Sequence, residues 1–297
     1  DGWDGCSGYH YSDSIIYGFS HTHLSGTGVP DYGDVLICPQ SGKAKTQPGY
    51  LFKGGYGSTF SHKKETASVG YYEVYLEEDQ INVKLCASER SGIHQYTFEK
   101  KEGEKHILID LDHRDMLLSS ALNLIDKNTI SGYRISSAWA KEQHLYFYLK
   151  LDTPYKKSKI ISKNGQHKLL LTFPEETKSL TLKIGISAVN EKGAANNLNT
   201  EIPGWSLHEL RAESVKKWNN ELNKIQIEDE NVTNKSIFYT ALYHTLIAPN
   251  LFSDVDGLYR GRDQKIHQLK STKDQQYTVF SLWDTYRATH PLYTIIQ

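Results

Sequence analysis

The feature that most constrains this chain is a period-two apolar alternation that recurs from about residue 70 to about residue 190. Tyr72, Val74 and Leu76 alternate, as do Ile81, Val83, Leu85 and Ala87, and a turn at Arg90-Ser91-Gly92 leads to a return run through Tyr96 and Phe98. Ile107, Ile109 and Leu111 repeat the pattern; Leu145, Phe147, Leu149 and Leu151 follow, then Leu169, Leu171 and Phe173, then Leu180, Leu182, Ile184, Ile186 and Ala188. Alternation at two residues buries one face of a strand and wets the other. Many such strands without intervening helical segments predict an antiparallel sandwich and exclude a doubly wound parallel sheet. The first 60 residues are Gly- and Tyr-rich and predict loops and short strands, such as Asp34–Cys38 with Val35 and Ile37 on one face.

Near residue 205 the period changes. Ser206 followed by Glu209 matches a capping box, and Leu207, Leu210, Val215, Trp218, Leu222 and Ile225 recur at spacings near three and four. A second helix is predicted from Asn231 to Ala248, with Ile237, Phe238, Ala241, Leu242 and Thr245 on one stripe and Pro249 ending it. Residues 250–278 read as polar and irregular, and a third helix is predicted from Ser281 onward. Three helices appended to a sandwich close little core of their own, so they read as the opening of a helical domain.

Composition narrows the function classes. Lys and Arg number 34 against 35 Asp and Glu, which leaves neither a basic footprint for nucleic acid nor a polybasic membrane patch. No apolar run approaches the roughly 20 residues of a membrane helix. Cys6, Cys38 and Cys86 lie far apart and form no CxxC pair. The 20 Tyr and 5 Trp suit sugar sites as well as sheet packing, because each pairs an apolar face with a polar edge.

Four local patterns carry candidate chemistry. His21 and His23, two apart on a strand, would share a face and could share a metal; as an isolated pair they read first as hydrogen-bonding histidines near a loop. Asp254-Val255-Asp256-Gly257 resembles the start of a calcium loop, but Lys265 stands where the bidentate Glu belongs, so an Asx turn is the better reading. Gly26-Thr27-Gly28 lacks the third glycine of a phosphate cradle. In Trp283-Asp284-Thr285-Tyr286-Arg287, a helix would bring Asp284 and Arg287 to one face. Together they could bind vicinal hydroxyls beside the Trp283 wall, or simply form a helix-start ion pair under a core Trp.

With these segments in hand, the chain resembles family 92 of the glycoside hydrolases, calcium-dependent exo-α-mannosidases. The matching blocks run Gly2-Trp3-Asp4-Gly5-Cys6-Ser7-Gly8-Tyr9-His10-Tyr11-Ser12-Asp13, then Gly18-Phe19-Ser20-His21-Thr22-His23-Leu24-Ser25-Gly26-Thr27-Gly28, then Gly70-Tyr71-Tyr72 and Gly132-Tyr133-Arg134 with Trp139-Ala140-Lys141. Glu201-Ile202-Pro203-Gly204-Trp205, Tyr239-Thr240-Ala241-Leu242-Tyr243-His244 and Phe280-Ser281-Leu282-Trp283-Asp284-Thr285-Tyr286-Arg287 complete the series in family order. The resemblance implies a mainly β fold: a large, supersandwich-like antiparallel sandwich over residues 1–205, a linker helix over 206–230, and over 231–297 the first helices of an (α/α)6 barrel. It implies removal of terminal α-mannose, commonly α-1,2-linked, with inversion, through a carboxylic acid and a carboxylate roughly 6.5–9.5 Å apart.

In such enzymes the acid and base lie later in the barrel, so no catalytic residue is carried over and this stretch alone is expected to be inactive. What carries over is one wall of a substrate pocket: Asp284 and Arg287 toward the terminal mannose, beside Trp283, with Trp3, Tyr9, His10, His21 and His23 on loops facing the cleft. Calcium is the implied cofactor, its ligands expected mostly outside this stretch. The implied partners are a mannose-containing glycan and the rest of the (α/α)6 domain, and the implied location is the periplasm, the cell surface or the extracellular space. The competing reading is a non-catalytic carbohydrate-binding β-sandwich, against which the amphipathic tail argues, since a binding module has no use for it.

Overall fold

A computed structural model describes residues 8–24, 29, 31–49, 54–100, 102–163, 166–271, 273–278 and 280–297. In chain order the strands are β1 (Ile15–Ile16), β2 (Leu36–Ser41), β3 (Ser58–Thr59), β4 (Glu65–Ser68), β5 (Tyr71–Leu76), β6 (Ile81–Ala87), β7 (Ser91–Phe98), β8 (Lys105–Asp110) and β9 (Met116–Leu124). They continue as β10 (Thr129–Ser137), β11 (Gln143–Leu151), β12 (Lys157–Lys163), β13 (Gln166–Phe173) and β14 (Ser179–Ser187). Helices α1 (Glu191–Glu201), α2 (Leu207–Leu222) and α3 (Val232–Thr245) follow. Two short ribbons come next, β15 (Asn250–Leu251) with β18 (Tyr277–Thr278) and β16 (Leu258–Arg260) with β17 (Ile266–Gln268), before α4 (Leu282–Thr285) and α5 (Thr289–Ile296).

Eight strands form one antiparallel sheet in the order β4-β5-β6-β7-β14-β11-β10-β9, and four form a second in the order β12-β13-β8-β2. One core joins them. Val74, Val83, Tyr96, Leu182, Ile184, Phe147 and Leu149 of the large sheet meet Ile37, Ile107, Ile109, Leu169, Leu171 and Phe173 of the small one, all buried. These are the residues the alternation marks, so the mainly β, antiparallel reading stands. Val35 and Ile37 do share the core face, while Leu36 and Cys38 pack with Tyr56 and Leu108 on the outer face of the small sheet. The hairpin turn falls earlier than predicted: Ser88 N–H donates to Ser91 O at 2.8 Å, and Ser91 and Gly92 already belong to β7.

The alternation does not announce β9, β10 or β12. β9 is an edge strand with Met116 and Leu118 exposed. β12, Lys-Ser-Lys-Ile-Ile-Ser-Lys, is the other sheet's edge, where lysines discourage pairing with a second chain. β10 buries polar side chains instead: Arg134 donates to Leu111 O (2.9 Å) and pairs with Asp34 and Asp115.

Helix α1 falls between the end of the apolar alternation and the change of period near residue 205, a stretch to which the sequence pattern assigns no element. It covers the outer face of the large sheet, with Leu198 and Ile202 against Ile93 and Cys86. A β-carbon on Gly185 of β14 would stand 2.3 Å from Ala194 O, so a glycine is what lets helix and strand approach. The α1 C-terminus is closed by Lys183, whose Nζ donates to the carbonyls of Ile202 (2.7 Å), Pro203 (3.1 Å) and Gly204 (3.1 Å) and lies 4.7 Å above the Trp205 ring. Ser206 caps α2 as predicted, accepting from Glu209 N–H at 3.2 Å. α3 has Leu242 buried and Phe238 and Thr245 half-buried, while Ile237, 64% exposed, and Ala241 face solvent.

Two predictions need correction. Residues 250–278 are not irregular but form the two ribbons above. The third helix is not continuous: it breaks after α4 and restarts at Thr289. Pro291 is the cause, because its ring excludes a helical carbonyl at residue 287, and it sits instead in the first turn of α5, where a missing N–H costs nothing.

Candidate active-site cleft

A cleft of about 830 Å³ opens between the sandwich and the ribbons that follow α3. Its sandwich wall is the β10–β11 loop with the start of β11. Both oxygens of the buried Asp31 carboxylate are committed there, accepting from the main-chain N–H of Trp139 (3.0 Å) and Ala140 (2.7 Å). Asp34, fully buried, accepts from Gln143 Nε2 (2.6 Å) and Thr22 Oγ1 (2.7 Å) while pairing with Arg134. Burial opposes the Arg134 charge, but the Asp34 and Asp115 carboxylates outweigh it and hold its pKa above the usual value. The Gly132-Tyr133-Arg134 block therefore supplies the brace beneath this wall.

The opposite wall is the β16–β17 hairpin. Arg260 Nε donates to Ala188 O (2.9 Å) and Nη1 to Gln264 O (2.8 Å). His267 and Asp263 pair at 2.9 Å, and that hydrogen bond holds the Asp263 carboxyl below its ordinary range. Gln264 Nε2 reaches across to Glu142 O at 3.3 Å, and Glu142 pairs with His144 at 2.6 Å. Tyr32 lines the cleft with its hydroxyl pushed up to about 12 by burial and by the Asp34 and Asp31 charges, which keeps it a proton donor.

The hairpin is fastened through Asp254. Its buried carboxylate accepts from Ser187 Oγ (2.7 Å) and Asn197 Nδ2 (2.8 Å), and Asn197 Oδ1 accepts from Val255 N–H (2.9 Å). Burial raises the Asp254 pKa to about 6. These bonds exclude the calcium-loop reading, and Leu258 N–H on Asp256 Oδ1 (3.2 Å) makes the turn an Asx turn. Sequence reasoning missed Asp254, Ser187 and Asn197 as a set because they lie on a loop, a strand end and a helix.

The sequence-predicted site residues do not all meet here. Ser281 lines the cleft and donates to Asp284 at 2.5 Å, placing Asp284 beside the rim. Arg287 turns away and donates to Tyr286 Oη (2.6 Å), and Asp284 and Arg287 form no ion pair. Trp283 is 88% exposed, so the core-Trp reading fails. Tyr9 donates to Glu65 (3.2 Å) and His10 bonds Ser12 (2.7 Å), both at the surface away from the cleft lining. Trp3 and Gly26-Thr27-Gly28 lie outside the described residues, as does Cys6; Cys38 and Cys86 are free and buried.

His21 and His23 do not share a face. His23 is exposed, whereas His21 lies on a separate cavity of about 430 Å³ against His94, their Nε2 atoms 3.0 Å apart. His21 Nδ1 faces Val35 O at 2.8 Å, and a carbonyl only accepts, so this nitrogen carries the proton. His94 Nε2 then donates to His21, and Tyr96 Oη donates to His94 Nδ1 at 2.7 Å. Burial lowers the His21 pKa to about 4 and that of His94 well below its usual value. Among the described residues no three His, Cys, Asp or Glu side chains gather to hold a metal, and the cleft carboxylates already have partners. The described residues therefore do not fit a calcium site.

Comparison with known proteins places this arrangement. Residues 1–187 match the glycosyl hydrolase family 92 N-terminal domain and residues 193–297 the family 92 catalytic domain. The chain belongs to glycoside hydrolase family 92. A GH92 α-mannosidase of Bacteroides thetaiotaomicron superposes with a TM-score of 0.90 at 34% identity, over 99% of this chain and 42% of that one. A GH92 inverting mannosidase of the same species gives 0.81 at 23% identity, over 96% and 39%, and supports the fold. An uncharacterized secreted glycosidase of Arthroderma benhamiae is 23% identical, over 89% of this chain and 39% of its own length. The chain thus spans about two fifths of the relatives it matches. Among the described residues no helix is long and apolar enough to cross a membrane.

Proposed function

We propose that this chain is the N-terminal part of an α-mannosidase that removes terminal α-linked mannose, with α-1,2 linkages preferred, by inversion. The observation that carries the reading is the cleft itself. It lies where the stretch matching the N-terminal domain meets the stretch matching the catalytic domain, with Asp284 beside its rim. A stand-alone binding module would not continue into a catalytic domain.

In this reading Asp284 accepts hydrogen bonds from vicinal hydroxyls of the terminal sugar, and Arg287 donates to the same ring once it leaves Tyr286. A charged acceptor near the reacting sugar matters most when ring distortion brings the hydroxyls into line. The acid that protonates the leaving oxygen and the base that activates water are assigned to the remainder of the (α/α)6 domain, and no residue here takes either role. Calcium dependence belongs to that complete enzyme, which we place outside the cytoplasm. The test is release of mannose from α-1,2-mannobiose by the polypeptide that includes the remaining catalytic domain. Chelator-sensitive release is expected; no release would contradict the proposal.

A further inference from the structure

The most exposed large apolar side chain of the cleft sits on a main chain held by a buried carboxylate. Trp139 is 70% exposed, yet its own N–H and that of Ala140 are both held by Asp31, and Ala138 N–H closes the turn on Ala140 O at 3.0 Å. Asp31 is 7% exposed, so the mount is buried while the indole is not. Leaving an indole in water forgoes a large burial energy, and fixing its backbone costs entropy. Packing within this chain explains neither. A wetted indole at the rim of a cleft, carried on a fixed main chain, is suited to stack on an apolar ligand face.

The facing wall says which ligand. Across the cleft stand Arg262, exposed, and the Asp263–His267 pair, with Glu142 and His144 beside the indole. The carboxylates of Asp31, Glu142 and Asp263 stand against the guanidinium groups of Arg260 and Arg262, and Arg260 is spent on the carbonyls of Ala188 and Gln264. With no dominant sign of charge, the cleft does not select an anion. An aromatic plane facing a mixed set of donors and acceptors matches the C–H face and hydroxyl edge of a neutral sugar. A volume of about 830 Å³ holds more than one ring.

We propose that Trp139 is the stacking platform of an accessory subsite for a neutral oligosaccharide. It stacks one sugar ring, with Arg262 and the Asp263–His267 pair opposite. This rests on the glycosidase reading for the class of ligand; the groups it names all lie in this chain, and binding to them needs no catalysis.

The experiment is calorimetry of this chain with a linear α-linked mannotriose, on wild type, Trp139→Ala and Trp139→Phe. Saturable millimolar binding is expected in wild type, weakened at least tenfold in Trp139→Ala and partly restored in Trp139→Phe. Because Trp139 is exposed, the variants should keep the wild-type Tm, which shows that any loss is local. No saturable binding by wild type, or equal binding by Trp139→Ala, overturns the proposal. Failure of the glycosidase reading shows separately, as absence of mannose release by the longer polypeptide.

Discussion

A β-carbon placed on Gly193 would lie 2.3 Å from Asp254 Oδ2, so the third residue of α1 and the carboxylate that fastens the cleft hairpin share one slot. Gly193→Ala must push Asp254 off Ser187 and Asn197, leaving buried polar groups unpaired. That costs about 2–3 kcal/mol, against about 1 kcal/mol returned by alanine's helix propensity. The net effect expected is a fall in Tm of several degrees by calorimetry, and an unchanged Tm would show that the slot is slack.

Asp254 also sets a pH dependence. Its folded pKa of about 6 lies above that of an unfolded aspartate, so the folded state binds more protons between roughly pH 4 and 6. The stability it contributes is present below pH 4 and is lost as pH rises through 6. Urea titrations at several pH values should show this fall in wild type relative to Asp254→Asn, which lacks the titration. Parallel profiles would remove Asp254 from the account.

The His21–His94 pair works in the opposite sense. Both folded pKa values are lowered by burial, so the unfolded state binds more protons below about pH 6.5. Stability from the neutral pair is present above pH 6.5 and is lost as pH falls toward 4. The wild-type profile should therefore steepen on the acid side relative to His21→Gln. A difference that does not change with pH would contradict the buried, neutral pair.

Arg134→Met should be the most damaging of these substitutions. It strands Asp34 and Asp115, both with side chains almost wholly buried, and frees Gln143 and Thr22 from a fixed acceptor. Removing one partner of a buried ion pair typically costs about 3–5 kcal/mol. Denaturant unfolding should show a loss of that size, and a loss under 1 kcal/mol would mean that the carboxylates find water.

The strands whose inward residues are uniformly apolar were legible, because β11 and β14 repeat one chemical choice at every second position. β10 was not, because its core-facing side includes Arg134, whose partners come from residues 34 and 115 and carry no local signal. α1 was hidden because its apolar positions are few; it is placed by Gly185 and Gly193, two absences of a side chain. The cleft was half visible. Trp139 and Ser281 stand in quotable blocks and line it, but Asp31, Asp254 and Arg262 owe their place to contacts between distant segments, and His21 and His23 part because the chain there is not a regular strand.

The central claim is that Asp284 is held at the cleft rim for substrate and contributes little to the fold. Its side chain is exposed and bonded to Ser281, so Asp284→Ala should leave the Tm of this chain unchanged. In the polypeptide that includes the remaining catalytic domain, the same change should cost about 2–4 kcal/mol of transition-state binding, roughly 30- to 1000-fold in kcat/KM on α-1,2-mannobiose. Unchanged kcat/KM, or a loss matched by a fallen Tm, would contradict the account.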